Sequence, residues 1–336
     1  NAMPCNMRNA SEERLVWCED GTGARIYLAV LYSLMCALGT PVNLLVIYLA
    51  LSFKKLRTSS NAFIVNGCVA DLLVCAFWMP HEVVLVSRIV PMATGHHTFK
   101  EALLFTGIVV SLLSHSLIAL NRYVLITKVP ATYLSVYQRR NTGGMISVAW
   151  LLPLLFLLPW LAVRQVTPVG CLPLRGPYSS RASSYGAGVL STTILVQTTI
   201  VLYCYFRIFR KVKSSVKRVS VLNFQIVNNL PYGFHRKDKR LGFSMLAVCG
   251  VFLLTTGPFF WVCLLGLFRT MPPAAHTVTW LVFSTLFVLN PLLYTWKNEE
   301  FRKALKSTVR GSSAVVSVEP PVVVVQAVSR HGSATT

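Results

Sequence analysis

The chain has 336 residues, 54% of them hydrophobic and only 13% charged, with a mean hydropathy of +0.57. A soluble domain carries about a quarter charged residues, so water is not this chain's main solvent. The formal net charge of +21 would suit nucleic acid, but the basic residues are sorted by side of a membrane, which argues against that partner.

In chain order, residues 1–25 are polar and carry no cleavable leader pattern; they are expected to form an extracellular N-terminus. Asn9-Ala10-Ser11 is a glycosylation sequon on that side. Seven apolar runs follow, near 26–51, 62–87, 102–126, 143–163, 185–209, 241–268 and 275–296. Each approaches or exceeds the roughly 20 residues that carry a helix across the hydrocarbon core, where the backbone must satisfy its own hydrogen bonds. The expected fold is an all-α membrane protein, with a seven-transmembrane helix bundle over 26–296. A short amphipathic helix eight is expected over 297–310, followed by a disordered cytoplasmic tail over 311–336 that is rich in Ser, Val and Pro.

With the N-terminus outside, nine Lys/Arg fall on the external side (Arg8, Arg14, Arg25, Arg88, Lys100, Arg164, Arg175, Arg181, Arg269) and the other 23 of 32 inside. Positive residues remain cytoplasmic, which fixes this orientation. Lys54, Lys55, Arg57 and the group Arg210, Lys211, Lys213, Lys217 and Arg218 would face anionic lipid headgroups. Of nine cysteines, only Cys5, Cys18 and Cys171 meet an oxidising exterior, so at most one bridge forms among them.

Charged groups are expensive in lipid and therefore mark machinery. Asp71 lies in the second run, with Asn43, Ser111 and Asn290 at similar depth in runs one, three and seven. Together they form either an internal oxygen cage for a small cation such as sodium, or an uncharged network that ties helices. Arg122 stands at the inner end of run three in Asn121-Arg122-Tyr123, and run seven ends in Asn290-Pro291-Leu292-Leu293-Tyr294, where Pro291 permits a bend that Asn290 helps to satisfy. Pro258 offers a second bending point in run six.

Taken in order, Asn43, Asp71, Asn121-Arg122-Tyr123, Trp150, Tyr205, Pro258, the Asn-Pro-x-x-Tyr of 290–294 and the tail Phe301-Arg302-Lys303-Ala304-Leu305 resemble the rhodopsin-like (class A) G-protein-coupled receptors over about residues 25–310. The resemblance implies a two-state bundle in the plasma membrane whose sixth helix swings outward to admit a heterotrimeric G protein, an inhibitory (Gi/o) one. Arg122, Tyr205 and Tyr294 would then exchange partners between states. It also implies arrestin and receptor kinases as partners, with Ser307, Thr308, Ser312, Ser313 and Ser317 as phosphorylation sites.

Several positions depart from that pattern. Asn121 stands where the family has an acidic partner for the arginine, so the inactive lock is weaker, and Asp238 would supply a substitute carboxylate. No Cys lies in 96–103 to bridge Cys171, no aromatic toggle stands two residues before Pro258, and Gln197 occupies the helix-five bulge position. No Cys follows Cys263, so helix eight has no site for a lipid anchor of the kind many relatives carry. Leu104 replaces the amine-binding aspartate, which excludes aminergic recognition. The candidate ligand cavity is Trp78, His81, Glu82, Leu104, Ile108, Phe259, Phe260, Trp261 and Trp280, an apolar and aromatic surface that suits a lipidic or small organic ligand; the same rings would equally pack helices. A transporter would show repeated halves, which are absent from this sequence. An enzyme would need a phosphate loop, a His/Glu metal pair or an oriented nucleophile; Ser114-His115-Ser116 has no carboxylate placed to orient the histidine. A third reading is a receptor-like protein that acts without an agonist, by basal activity or by pairing with other receptors.

Overall fold

In the computed structural model of the chain the described residues are 22–87, 94–165, 181–225, 233–269, 271–296 and 298–309. Their regular elements are all helical: α1 (Thr22–Ser52), α2 (Ser59–Leu72), α3 (Met79–Val86), α4 (Thr94–Thr127), α5 (Pro130–Val136), α6 (Arg139–Gln165), α7 (Arg181–Gln225), α8 (Gly233–Gly266), α9 (Pro273–Ser284), α10 (Leu286–Thr295) and α11 (Glu299–Val309). Seven stretches are long and apolar enough to cross a membrane: Gly23–Ser52, Ser59–Val86, Phe99–Thr127, Arg139–Pro159, Tyr185–Ser214, Ala247–Gly266 and Ala274–Thr295. Each overlies one of the seven apolar runs.

Two of the spans are composite. A π-helical segment, Leu73–Trp78, joins α2 to α3, close to Pro80, which lacks the N–H that would continue the ladder. The break is two residues past Asp71. In the seventh span Thr285 separates α9 from α10, its hydroxyl donating to the Val282 carbonyl at 2.6 Å.

The third span is the hub. Its most apolar window is 72% buried, against 22% for the fourth span, so α4 sits among its neighbours while α6 shows most of its surface to lipid. Glycine permits close helix approach at two places. A Cβ on Gly39 of α1 would meet Cys75 Sγ at 2.6 Å, and one on Gly107 of α4 would meet Val74 Cγ2 at 3.0 Å and the Ala70 carbonyl at 3.2 Å. Both contacts draw neighbouring helices onto the π-helical region of span two.

The amphipathic α11 packs on α1 and on the short 3₁₀ turn Lys54–Leu56, with Phe301 and Ala304 buried and the basic residues outward. Asn9, Cys5, Cys18, Cys171, Ser312, Ser313 and Ser317 lie outside the described residues, as do the side chain of Asp238 and the tail expected to be disordered.

Candidate functional site

Halfway along the bundle Asp71 is fully buried, and both its oxygens are already bonded. Oδ1 accepts from Ser111 Oγ at 2.6 Å and Oδ2 from Asn290 Nδ2 at 3.0 Å. Asn290 Nδ2 also lies 3.3 Å from Ser111 Oγ. This triangle joins α2, α4 and α10, and His115 extends it. Its Nε2 stands 2.7 Å from Asn290 Oδ1 and its Nδ1 stands 2.8 Å from the Ser111 carbonyl, while the ring lies 5.5 Å from Phe252 and 5.6 Å from Tyr294. One imidazole thus meets groups from α8 and α10 as well as its own helix.

Asn43 is not a member of this triangle. Its Nδ2 donates to the Gly39 carbonyl at 2.9 Å and to the Phe287 carbonyl at 3.0 Å. Phe287 is the residue four before Pro291, so its carbonyl is the one that the proline's missing N–H leaves unanswered. The sequence assigned that repair to Asn290; the structure gives it to Asn43, because Asn290 is already turned toward Asp71 and His115.

A sodium ion would need more oxygen than this place supplies. Hard cations take about six oxygen ligands, and here Asp71, Ser111 and Ser114 offer charged or hydroxyl oxygens, all of them engaged in hydrogen bonds. One turn away along α4 and α10 stand Gly107, Leu286 and Phe287, which bring no side-chain oxygen. The void bordered by Asp71, Ser114, His115 and Asn290 is about 10 Å³, room for about one water. The side-chain oxygens present are tied into a closed hydrogen-bond network.

A second polar link runs sideways. Trp150 Nε1 donates to Asn66 Oδ1 at 2.8 Å, and Asn66 Nδ2 donates to Ser114 Oγ at 2.8 Å. Spans two, three and four are thereby tied at the residue next to His115.

Toward the inner mouth, Arg122 Cζ lies over the Tyr294 ring at 5.2 Å, a cation–π contact. Tyr205 is buried with its hydroxyl beside that charge. Among the described residues Arg122 makes no ion pair. Asn121 Nδ2 reaches Tyr133 Oη of α5 at 3.4 Å, while its Oδ1 is buried without a partner. Tyr123 instead turns outward toward Tyr203, ring to ring at 6.1 Å. Pro291 lines the void beneath Asp71 beside Tyr294.

The opposite end is aromatic. Trp78 meets Tyr32 at 5.7 Å and Trp280 at 5.3 Å, and Phe259 stacks on Phe283 at 4.8 Å and meets Trp280 at 5.6 Å. Leu104 and Ile108 of α4 are buried in the same cluster. Glu82 and Lys100 form a buried ion pair between α3 and α4, and Lys100 Nζ lies 5.9 Å from the Trp78 ring. This pair holds span two to the head of span three. Lys100 was legible only as an external basic residue; its place two residues before the apolar run concealed its burial. Two proposed cavity residues are misplaced. Trp261 is 58% exposed and His81 is exposed, since successive helical residues turn by about 100° and Trp261 therefore points away from Phe259. Phe260 is half-buried against the Trp261 ring at 5.4 Å.

The model of the family described as 7 transmembrane receptor (rhodopsin family) matches residues 42–294. The chain belongs to the rhodopsin family of seven-transmembrane receptors, and is a receptor rather than an enzyme. It is 27% identical to the melatonin receptor type 1A of Mus musculus over 279 residues, covering 80% of this chain and 75% of that one. Identity to the melatonin receptor type 1C of Xenopus laevis is 25%, over 79% of this chain and 63% of that one. The somatostatin receptor type 4 of Rattus norvegicus is 25% identical over 85% of this chain and 74% of its own.

Proposed function

We propose that this receptor sits in the plasma membrane with its N-terminus outside and couples to an inhibitory (Gi/o) heterotrimeric G protein, lowering cyclic AMP. The observation that carries the reading is the inner mouth. Among the described residues Arg122 is held by a tyrosine face and by no carboxylate, and the Tyr205 hydroxyl stands beside it. Both contacts can be exchanged at small cost when the mouth widens, as a two-state element requires. The inhibitory class is supported by the family resemblance of the sequence, and the orientation by the sorting of Lys and Arg. Arrestin and receptor kinases are the expected desensitising partners.

For the ligand, the outer cluster leaves two buried donors unanswered: Trp78 Nε1 and Trp280 Nε1 have no hydrogen-bond partner. Their rings lie 5.3 Å apart, so an apolar molecule carrying an acceptor oxygen suits that place. Two of the relatives are named for melatonin and one for somatostatin; the aromatic lining favours the small organic class.

The second reading, action without an agonist, draws on Asn121, whose neutral amide offers Arg122 no ionic partner at the neighbouring position. One assay separates the two. Cyclic AMP is measured in cells without added ligand, with and without toxin block of inhibitory G proteins, for the wild type and for Arg122→Ala at matched surface expression. Inhibition of cyclic AMP that both toxin and Arg122→Ala remove supports ligand-free Gi/o coupling; signal that survives the toxin overturns the inhibitory assignment. If no signal appears until an agonist is supplied, the agonist-free reading is lost.

A further inference from the structure

Between α4, α6 and α7 lies a cleft of about 450 Å³ that the signalling core does not use. At its end away from Arg122 the helices are pinned where Tyr185 Oη donates to the Phe156 carbonyl at 3.0 Å. Beyond that pin α6 and α7 part. The bed of the cleft is the α7 face carrying Gly188, Thr192 and Gln197, and Leu113 of α4 closes its floor. A Cβ on Gly188 would meet nothing within 4 Å, so this glycine is not required by packing and keeps the bed flat.

Two polar groups face this space unanswered. Gln197 is 1% exposed; its Oε1 accepts from Ser116 Oγ, and its amide nitrogen has no partner among the described residues. Thr192 is exposed, and its hydroxyl is likewise without a partner, although Thr193 and Thr199 on the same helix bond back to Val189 and Leu195 at 2.8 and 2.9 Å. Hydroxyls on a membrane helix ordinarily make that backward bond, and a buried amide without a partner is costly.

Entry is from lipid, because Val196, which lines the cleft, is 50% exposed on the hydrocarbon face. Tyr185 and Gln197 are twelve residues apart, about 18 Å of helix, or a little more than one leaflet of a core about 30 Å thick. A phospholipid cannot bring its headgroup that deep, and a carboxylate at mid-depth is expensive. A plain acyl chain leaves the Gln197 amide unanswered. A flat, rigid body with a neutral oxygen at its deep end answers Gln197 and Thr192, and a second hydroxyl at its other end stays at the interface beside Tyr185, which is already bonded to Phe156.

We infer that the α4–α6–α7 cleft binds a sterol hydroxylated on its side chain, lying along Gly188 with its ring hydroxyl at the interface near Tyr185 and its side-chain hydroxyl on Gln197 and Thr192. Gln197 also bonds Ser116, the neighbour of His115, so the occupant bears on the contact between α4 and α7 that leads to Tyr205.

The test uses the full-length receptor in phosphatidylcholine nanodiscs and a diazirine-bearing, side-chain-hydroxylated cholesterol as photoprobe. Labelling should saturate and map to the α7 peptide spanning 185–197. Unlabelled side-chain-hydroxylated cholesterol should compete about tenfold better than cholesterol, the equivalent of one good hydrogen bond. Gln197→Leu should erase that preference, and Gly188→Phe should cut labelling about tenfold. Gly188→Phe enters open space, so it keeps the test intact if Gln197→Leu fails to fold. Labelling that does not saturate, that Gly188→Phe leaves unchanged, or that cholesterol or oleic acid displaces equally well overturns the inference. None of these readouts depends on G-protein coupling.

Discussion

Between Asp71 and the Trp280 end, helices meet through rings and one ion pair; between Asp71 and Arg122 they meet through side chains with a bond made and a bond to spare. The outer region leaves the indole N–H groups of Trp78 and Trp280 unanswered amid packed rings, and the inner region leaves Asn121 Oδ1 unanswered beside Arg122. Rings pack in any state that keeps them together, so the outer region has one good arrangement. Side chains with a spare bond have two arrangements of similar energy, which is what a switch needs. Scaffold and switch are thus separated along the bundle, with the Asp71–His115 network between them.

The largest effect should come from breaking the outer ion pair. Glu82→Ala strands Lys100 in a buried place, and a stranded buried charge costs about 3–5 kcal/mol. The thermal midpoint of the detergent-solubilised receptor should fall, and Glu82→Leu combined with Lys100→Met should recover most of the loss. Reduced nucleotide exchange by receptor that is still folded would instead make the outer end part of the switch. Next, Gly39→Leu forces side-chain atoms against Cys75, an overpacking that costs about 1–3 kcal/mol. Cys75→Ala in the same molecule should relieve part of it, read by the same melt. The smallest effect belongs to the inner end. Asn121→Asp gives Arg122 a charge-assisted partner worth about 1 kcal/mol more than the amide, so ligand-free exchange should drop about fivefold while the midpoint stays within a degree or two. Unchanged ligand-free exchange would remove the weak lock and leave Asn121 an ordinary packing residue.

The hydropathy of the chain was enough to place all seven spans, because a helix in lipid has no other way to satisfy its backbone. The cost of a carboxylate in hydrocarbon likewise pointed to Asp71 before any partner was known. What the sequence concealed were partners supplied across space. His115 meets Asn290 from 175 positions away, and the local cue, an ionisable ring inside an apolar run, does not say which helix supplies its partner. Trp261 was grouped with Phe259 and Phe260 by adjacency, when the helical turn separates them. Gln197 was marked as an oddity of helix five, yet its bond to Ser116 and the cleft before it follow from where α6 and α7 diverge, which no local pattern records.

The Asn43 amide has a consequence for how the molecule is made. The first span to enter the bilayer holds the only described side-chain donor to the Phe287 carbonyl, and that carbonyl belongs to the last span to enter. The seventh helix therefore cannot complete its hydrogen bonding until the two ends of the membrane domain meet. Biogenesis closes as a ring, with the earliest inserted segment acting as the latch for the final one.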